Sequence, residues 1–168
     1  MTTTQLQLFA DYFQLHVMDE EAEDDLGEAW TKEAVSDALA VSERTLGIGT
    51  ESNGDVAVLV EVLGHPPGDA TDAFEHVVEA SLRVPSGRIA VLGCTDYLPD
   101  AARFDVPAGF VRVRASRANP GDLSEAIEQV HLQIWPAPHS APAVLKRWSG
   151  TDRRGSASAT ATLRGEIR

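Results

Sequence analysis

Carboxylate is the most concentrated chemical group in this sequence. Between Asp11 and Glu33 lie Asp19, Glu20, Glu21, Glu23, Asp24, Asp25 and Glu28, opposed only by Lys32. Carboxylates at that density can coordinate a cation, repel one another in water, or imitate a phosphate backbone and enter a basic cleft on another protein. The spacing lacks the alternating ligands, central glycine and distal glutamate of a calcium loop. Two readings stay open: a solvated loop, and a partner-binding surface that uses charge complementarity and takes in the adjoining Trp30.

The other reactive residues are scattered. Histidines at 16, 65, 76, 131 and 139 include no helical i, i+4 pair. His16 and His131 both take the polar phase of extended segments and would meet if those segments paired, but no third ligand completes a metal site. Arg112 and Arg114 leave one strand face together, with Arg117 just beyond. They either bind an anion or pair with the protein's own carboxylates on a neighbouring strand. With His16, His131 and Trp135 they form an alternative ligand pocket. Trp135 falls on the polar phase of its strand, as an exposed contact or as packing. Cys94 follows Val91-Leu92-Gly93 and reads as a small buried hydrophobe. A nucleophilic Cys94 with His76 as its base lacks any third group to orient it. Gly47-Ile48-Gly49 lacks the helix that a phosphate loop requires. No catalytic set, metal or cofactor is expected.

The elements that position these residues read as strands. Val56, Val58, Val60 and Val62 alternate with other residues, as do Val78, Ala80, Leu82 and Val84, then Val111, Val113 and Ala115, then Val130, Leu132 and Ile134. Period-two burial of β-branched residues is the signature of a half-buried strand. An early strand places Phe9, Phe13, Leu15 and Val17 on one phase. Pro85-Ser86-Gly87 and Pro107-Ala108-Gly109 predict two hairpins. Pro136 and Pro138 close the last strand. Thr31 caps one short helix through Ala34, Val35, Ala38 and Leu39, and Asp122 to Ile127 suggests another turn of helix. The expected fold is a mainly β, antiparallel sandwich of seven or eight strands with one short helix after the first strand. Residues 1–145 form a single domain, and 146–168 a flexible, basic tail rich in Gly, Ser, Ala, Thr and Arg.

The totals exclude whole classes. A length of 168 residues suits one domain, and a net charge of −12 disfavours direct binding to nucleic acid. One cysteine allows no internal disulfide, and no apolar run approaches the roughly 20 residues that cross a bilayer. A cytoplasmic location, with no membrane contact, is expected.

The motifs Tyr12-Phe13-Gln14-Leu15-His16-Val17, Trp30-Thr31 with Glu33-Ala34, Val84-Pro85, and Phe104-Asp105-Val106-Pro107 with Gly109-Phe110 come in an order that resembles the competence protein J family of small bacterial proteins. The resemblance spans Leu8 to Trp135. It implies an inhibitor that binds and silences a DNA-entry nuclease and has no catalysis of its own. This chain departs from the family in its heavier acidic segment, in the insertion around Pro66-Pro67-Gly68 and in its basic tail. The expected function is thus a non-enzymatic partner of a basic enzyme, as a nuclease inhibitor or an immunity protein against a toxin. The alternatives are a small-ligand binder or enzyme using the His16, His131, Arg112, Arg114 pocket, and a self-associating module.

Overall fold

The computed structural model describes residues 2–69, 71–118 and 127–148. The strands in chain order are β1 (Thr2–Phe9), β2 (Gln14–Asp19), β3 (Leu39–Val41), β4 (Thr45–Gly49), β5 (Asp55–Val62), β6 (His76–Val84), β7 (Arg88–Gly93), β8 (Ala102–Asp105), β9 (Gly109–Ala118), β10 (Gln129–Pro136) and β11 (Ala143–Lys146), with one helix, α1 (Lys32–Asp37), between β2 and β3. They form a six-stranded sheet in the order β1-β5-β10-β9-β6-β11 and a five-stranded sheet in the order β3-β4-β2-β7-β8. All pairings are antiparallel except β5 with β10. The core lies between the sheets. Val56, Val58, Val78, Leu82, Val113 and Leu132 come from the larger one and Leu15, Val17, Leu46, Ile48, Ile89 and Val91 from the smaller. This is the expected mainly β fold with two sheets and one short helix.

Three local expectations change. The early strand from Phe9 to Val17 is two strands belonging to different sheets, broken by a 3-10 turn at Asp11–Phe13. Leu15 and Val17 are core, but the break turns Phe9 and Phe13 out to solvent. The two expected hairpins are corners instead, because β6 and β9 pair in the large sheet while β7 and β8 pair in the small one. Val84 faces Gly109, Arg88 faces Asp105, and between them the Val106 N–H donates to the Gly87 carbonyl (3.0 Å). A single register thus runs through both ladders. One long hairpin, with its tip between β7 and β8, bends over at Pro85-Ser86-Gly87 and at Val106-Pro107-Ala108 to build the middle of both sheets. Gly87 sits at the bend with φ +74°, in the left-handed region where glycine is unstrained. Finally, the chain does not end its ordered part at Pro136 and Pro138. It crosses the outer face of the large sheet at Ser140 and Ala141, where their carbonyls meet Ser81 and Arg112, and then joins the same sheet as its edge strand β11, paired with β6.

Thr31 caps α1 as expected, its Oγ1 accepting the Ala34 N–H (3.1 Å). The helical turn expected at 122–127 and the tail from residue 149 lie outside the described residues, apart from Ile127. No helix among the described residues is long and apolar enough to cross a membrane.

Candidate functional site: an acidic segment leading into an aromatic cleft

The acidic segment splits into carboxylates that hold it and carboxylates that it displays. Asp19 closes β2 fully buried, one oxygen accepting the Glu21 N–H (2.7 Å) and the other the Ser86 N–H at the corner (2.9 Å). Glu20 pairs with Arg103 (2.9 Å). Asp24 accepts from the Ser42 hydroxyl (2.5 Å) and the Arg44 N–H (2.8 Å) in the turn before β4. Ala22 and Leu26 are buried between them. What remains in water is Glu21, Glu23, Asp25 and Glu28. The segment is therefore a pinned loop with four outward charges.

It ends on Trp30, which lies flat against β4. A Cβ at Gly47 would stand 2.7 Å from Trp30 Cζ2, so this glycine makes room for an indole and has no phosphate role. Trp30 Nε1 donates to Gln14 Oε1 (3.0 Å), and His16 Nε2 donates to the same oxygen (2.9 Å). Burial holds the His16 pKa below its ordinary value.

The structure does not bring the alternative pocket together. His16 is on the outer face of the small sheet. His131 is on the outer face of the large one, bonded to Glu61 (2.8 Å) and beside the Phe74 ring. Arg112 and Arg114 share Glu79 as a bidentate partner (3.1 and 2.7 Å), which answers the choice between anion and own carboxylate in favour of the latter. Arg112 also donates to the carbonyls of Ser140 and Ala141 on the chain before β11, and Arg114 to that of Gly68 in the β5–β6 loop. Trp135 is 5% exposed, with the Arg114 guanidinium 5.8 Å from its ring, so it is packing and offers no contact surface.

A concave site that the sequence reading did not find opens at one end of the sandwich. It holds about 670 Å³ between the 3-10 turn, α1, the β4–β5 loop and Trp148. Its rim carries Tyr12 (φ 56°, ψ 28°) and Phe13 (φ 61°), both in the left-handed region and 69% and 52% exposed. Non-glycine residues there are strained by about 1 kcal/mol or more each and persist only where neighbours over-determine the backbone. The neighbours do so. Ala10 N–H bonds Gly54 O (2.8 Å), Thr50 N–H bonds Phe13 O (2.9 Å), and Thr95 Oγ1 donates to Asp11 Oδ2 (2.9 Å). The Cys94 thiol donates to Asp11 O (3.3 Å), and burial together with Asp11 and Asp96 raises its pKa, away from a reactive thiolate.

The floor is Arg117, held from beneath by Glu128, both at core-phase positions where β9 and β10 reach the end of the sandwich. Glu128, fully buried, accepts from the backbone N–H of Glu51 (3.0 Å) and Ser52 (2.9 Å) and pairs with Arg117 Nη1 (3.4 Å). Arg117, 3% exposed, also donates to Gly49 O (3.1 Å), but its Nε has no hydrogen-bond partner. Desolvation lowers the Arg117 pKa and raises that of Glu128. Trp148 covers the guanidinium, its ring 5.9 Å away. The Trp148 N–H donates to His76 Nδ1 (3.0 Å), so the ring proton sits on Nε2 and donates to Asp37 O (2.6 Å). This neutral histidine is held at a pKa of about 4, first by burial and then by Arg117. Arg147 clamps the end of α1 through Ser36 and Asp37.

The sandwich, with its two sheets of this size and one helix, also occurs in solved structures. Over 80% of this chain and 96% of the other, it superposes on ComJ from Bacillus subtilis, described as an inhibitor of the DNA degrading activity of NucA, with a TM-score of 0.65 at 16% identity. The fold is ComJ-like. The product of crocagin biosynthetic gene J shares it over 82% of this chain and 98% of that one, with a TM-score of 0.58 at 14% identity. No family model matches this chain, and no curated protein matches it in sequence. On this ComJ-like scaffold, no group of three His, Cys, Asp or Glu side chains is placed to hold a metal among the described residues.

Proposed function

We propose that this protein is a non-enzymatic binding protein that inhibits a basic enzyme, a nuclease in the first instance, in the manner of an inhibitor or immunity protein. The observation that carries this is the division of labour in the acidic segment. Asp19, Glu20 and Asp24 anchor it, which leaves Glu21, Glu23, Asp25 and Glu28 directed at solvent from a fixed backbone. Apart from the Gly27 N–H that Asp25 accepts (2.8 Å), these carboxylates hold no backbone in place and repel one another, but they complement a basic surface and accelerate encounter with it. The ComJ likeness supports a nuclease as partner, since ComJ is described as an inhibitor of one. The ligand-pocket alternative loses the residues it was built on, because its histidines lie on different sheets and its arginines are paired with Glu79.

The test is inhibition of DNA degradation by nucleases encoded beside this gene, co-expressed and assayed on plasmid DNA. Stoichiometric inhibition that weakens with salt, and that is lost when Glu21, Glu23, Asp25 and Glu28 are changed together to Lys, supports the reading. Undiminished nuclease activity in the presence of excess protein overturns it.

A further inference from the structure

The geometry points to the aromatic cleft, rather than the acidic loop, as the place where a partner is gripped, and to an arginine or lysine side chain of that partner as its occupant. This deepens the binding function proposed above and rests on it for the partner's identity, though not for the chemistry of the cleft.

Three independent features converge. First, Tyr12 and Phe13 are exposed aromatics held in a backbone conformation that their side chains disfavour, by bonds from Gly54, Thr50 and Thr95. Strain maintained by surrounding structure at an exposed aromatic pair marks a site of use, and large aromatics dominate binding energy at protein interfaces. Second, Trp30 and Trp148 add two indoles to the same cleft. Aromatic faces carry negative potential and attract cations, most strongly where water is excluded. Third, the charges select the sign. Trp30 is the end of the segment that displays Glu21, Glu23, Asp25 and Glu28. Among the described residues, the two cations nearby are already committed. Arg117 is buried beneath Trp148 and paired with Glu128, and Arg147 is paired with Asp37. A long aliphatic stem with a cationic head matches an apolar, aromatic cleft in an acidic surface. An anion does not, because the one arginine at the floor is shielded by an indole.

The measurement is an NMR titration of the full chain with the tripeptide acetyl-Gly-Arg-Gly-amide, and with its citrulline counterpart, which has the same shape but no charge. The indole N–H signals of Trp30 and Trp148 are expected to shift saturably at millimolar arginine peptide. The shift with citrulline should be at most about a tenth as large, and the buried Trp135 signal should stay fixed throughout. The double variant Tyr12→Asn, Phe13→Asn removes both rings while placing at each position a residue that tolerates positive φ. Its thermal midpoint is expected within a few degrees of the parent, and its arginine response at least tenfold weaker. Equal shifts with citrulline, silence of both indoles, or full binding by the double variant would each overturn the inference. All three readouts are independent of nuclease inhibition. A cleft that binds arginine in a protein that inhibits no nuclease therefore separates this inference from the function above.

Discussion

Along Asp19–Glu28 the anchors are the segment's own carboxylates, which tie it to Ser42, Arg44, Ser86 and Arg103. They accept the N–H groups of Glu21, Arg44 and Ser86, and the charges left over are surface. At Ala10–Phe13 the fixing comes from elsewhere, through Gly54, Thr50, Cys94 and Thr95, and it holds two aromatic residues where they would not settle alone. The two regions meet at Trp30 and divide recognition between them. Long-range charge is cheap to display on a loop that its own carboxylates pin at several separate points. Shaped apolar surface must be imposed by the rest of the fold, so disturbing the fold should damage the cleft first and the loop last.

That contrast can be broken at its strongest point by Glu128→Ala, which leaves Arg117, the floor of the cleft, buried without its carboxylate. We expect a loss of about 3–5 kcal/mol in urea unfolding. A loss under about 1 kcal/mol would show that the pair does not anchor the cleft. Acidification comes next. Below pH 6.5 the unfolded chain takes up a proton on His76 that the folded protein refuses until about pH 4, so stability falls across that window, by roughly 3 kcal/mol at its foot. Glu128 works in the opposite sense, because its raised folded pKa favours the native state as pH falls. Comparing the pH 7 to pH 4.5 difference with that of His76→Gln isolates the histidine, and the variant's profile should be distinctly flatter. Asp19→Ala orphans two backbone N–H groups and should cost about 2 kcal/mol. It probes the pinning of the loop, and an unchanged unfolding midpoint would contradict that picture. Changing Glu21, Glu23, Asp25 and Glu28 to Gln should move stability by no more than about 0.5 kcal/mol, while slowing association with a basic partner about tenfold at low salt.

Period two made the sandwich legible, since Val56 to Val62 and Val111 to Ala115 point inward as the alternation requires. The same parity extends to Arg117 and Glu128, which belong to the inward phases of β9 and β10. Following it past the last valine would have located the buried pair that floors the cleft. Other features left no such trace. β1 is an edge strand of threonines and glutamines whose Leu6 and Leu8 are only partly buried, so its pattern looks like polar chain. The turn at Tyr12 and Phe13 has none of the glycine or asparagine that usually signals positive φ. Its conformation is tertiary in origin, and so is the cleft. Arg112 and Arg114 obey alternation yet are buried, because the chain around Ser140 and Ala141 and the β5–β6 loop at Gly68 lie over their face, and those covering residues carry no period of their own.

The bent hairpin from β6 to β9 has a kinetic consequence. Ladders joined by short loops form early, because little chain entropy is lost in closing them. Here, pairing that starts at the tip between β7 and β8 zips through the Gly87 and Val106 bend and continues into β6 and β9 without a new nucleation step. Four of the eleven strands among the described residues are registered in one event, two in each sheet. A slip by one residue at the tip would turn Ile89 and Val91, and also Val78 and Leu82, toward solvent together. Misalignment would thus cost hydrophobic burial in both sheets at once, so the chain corrects its register before the remaining strands arrive.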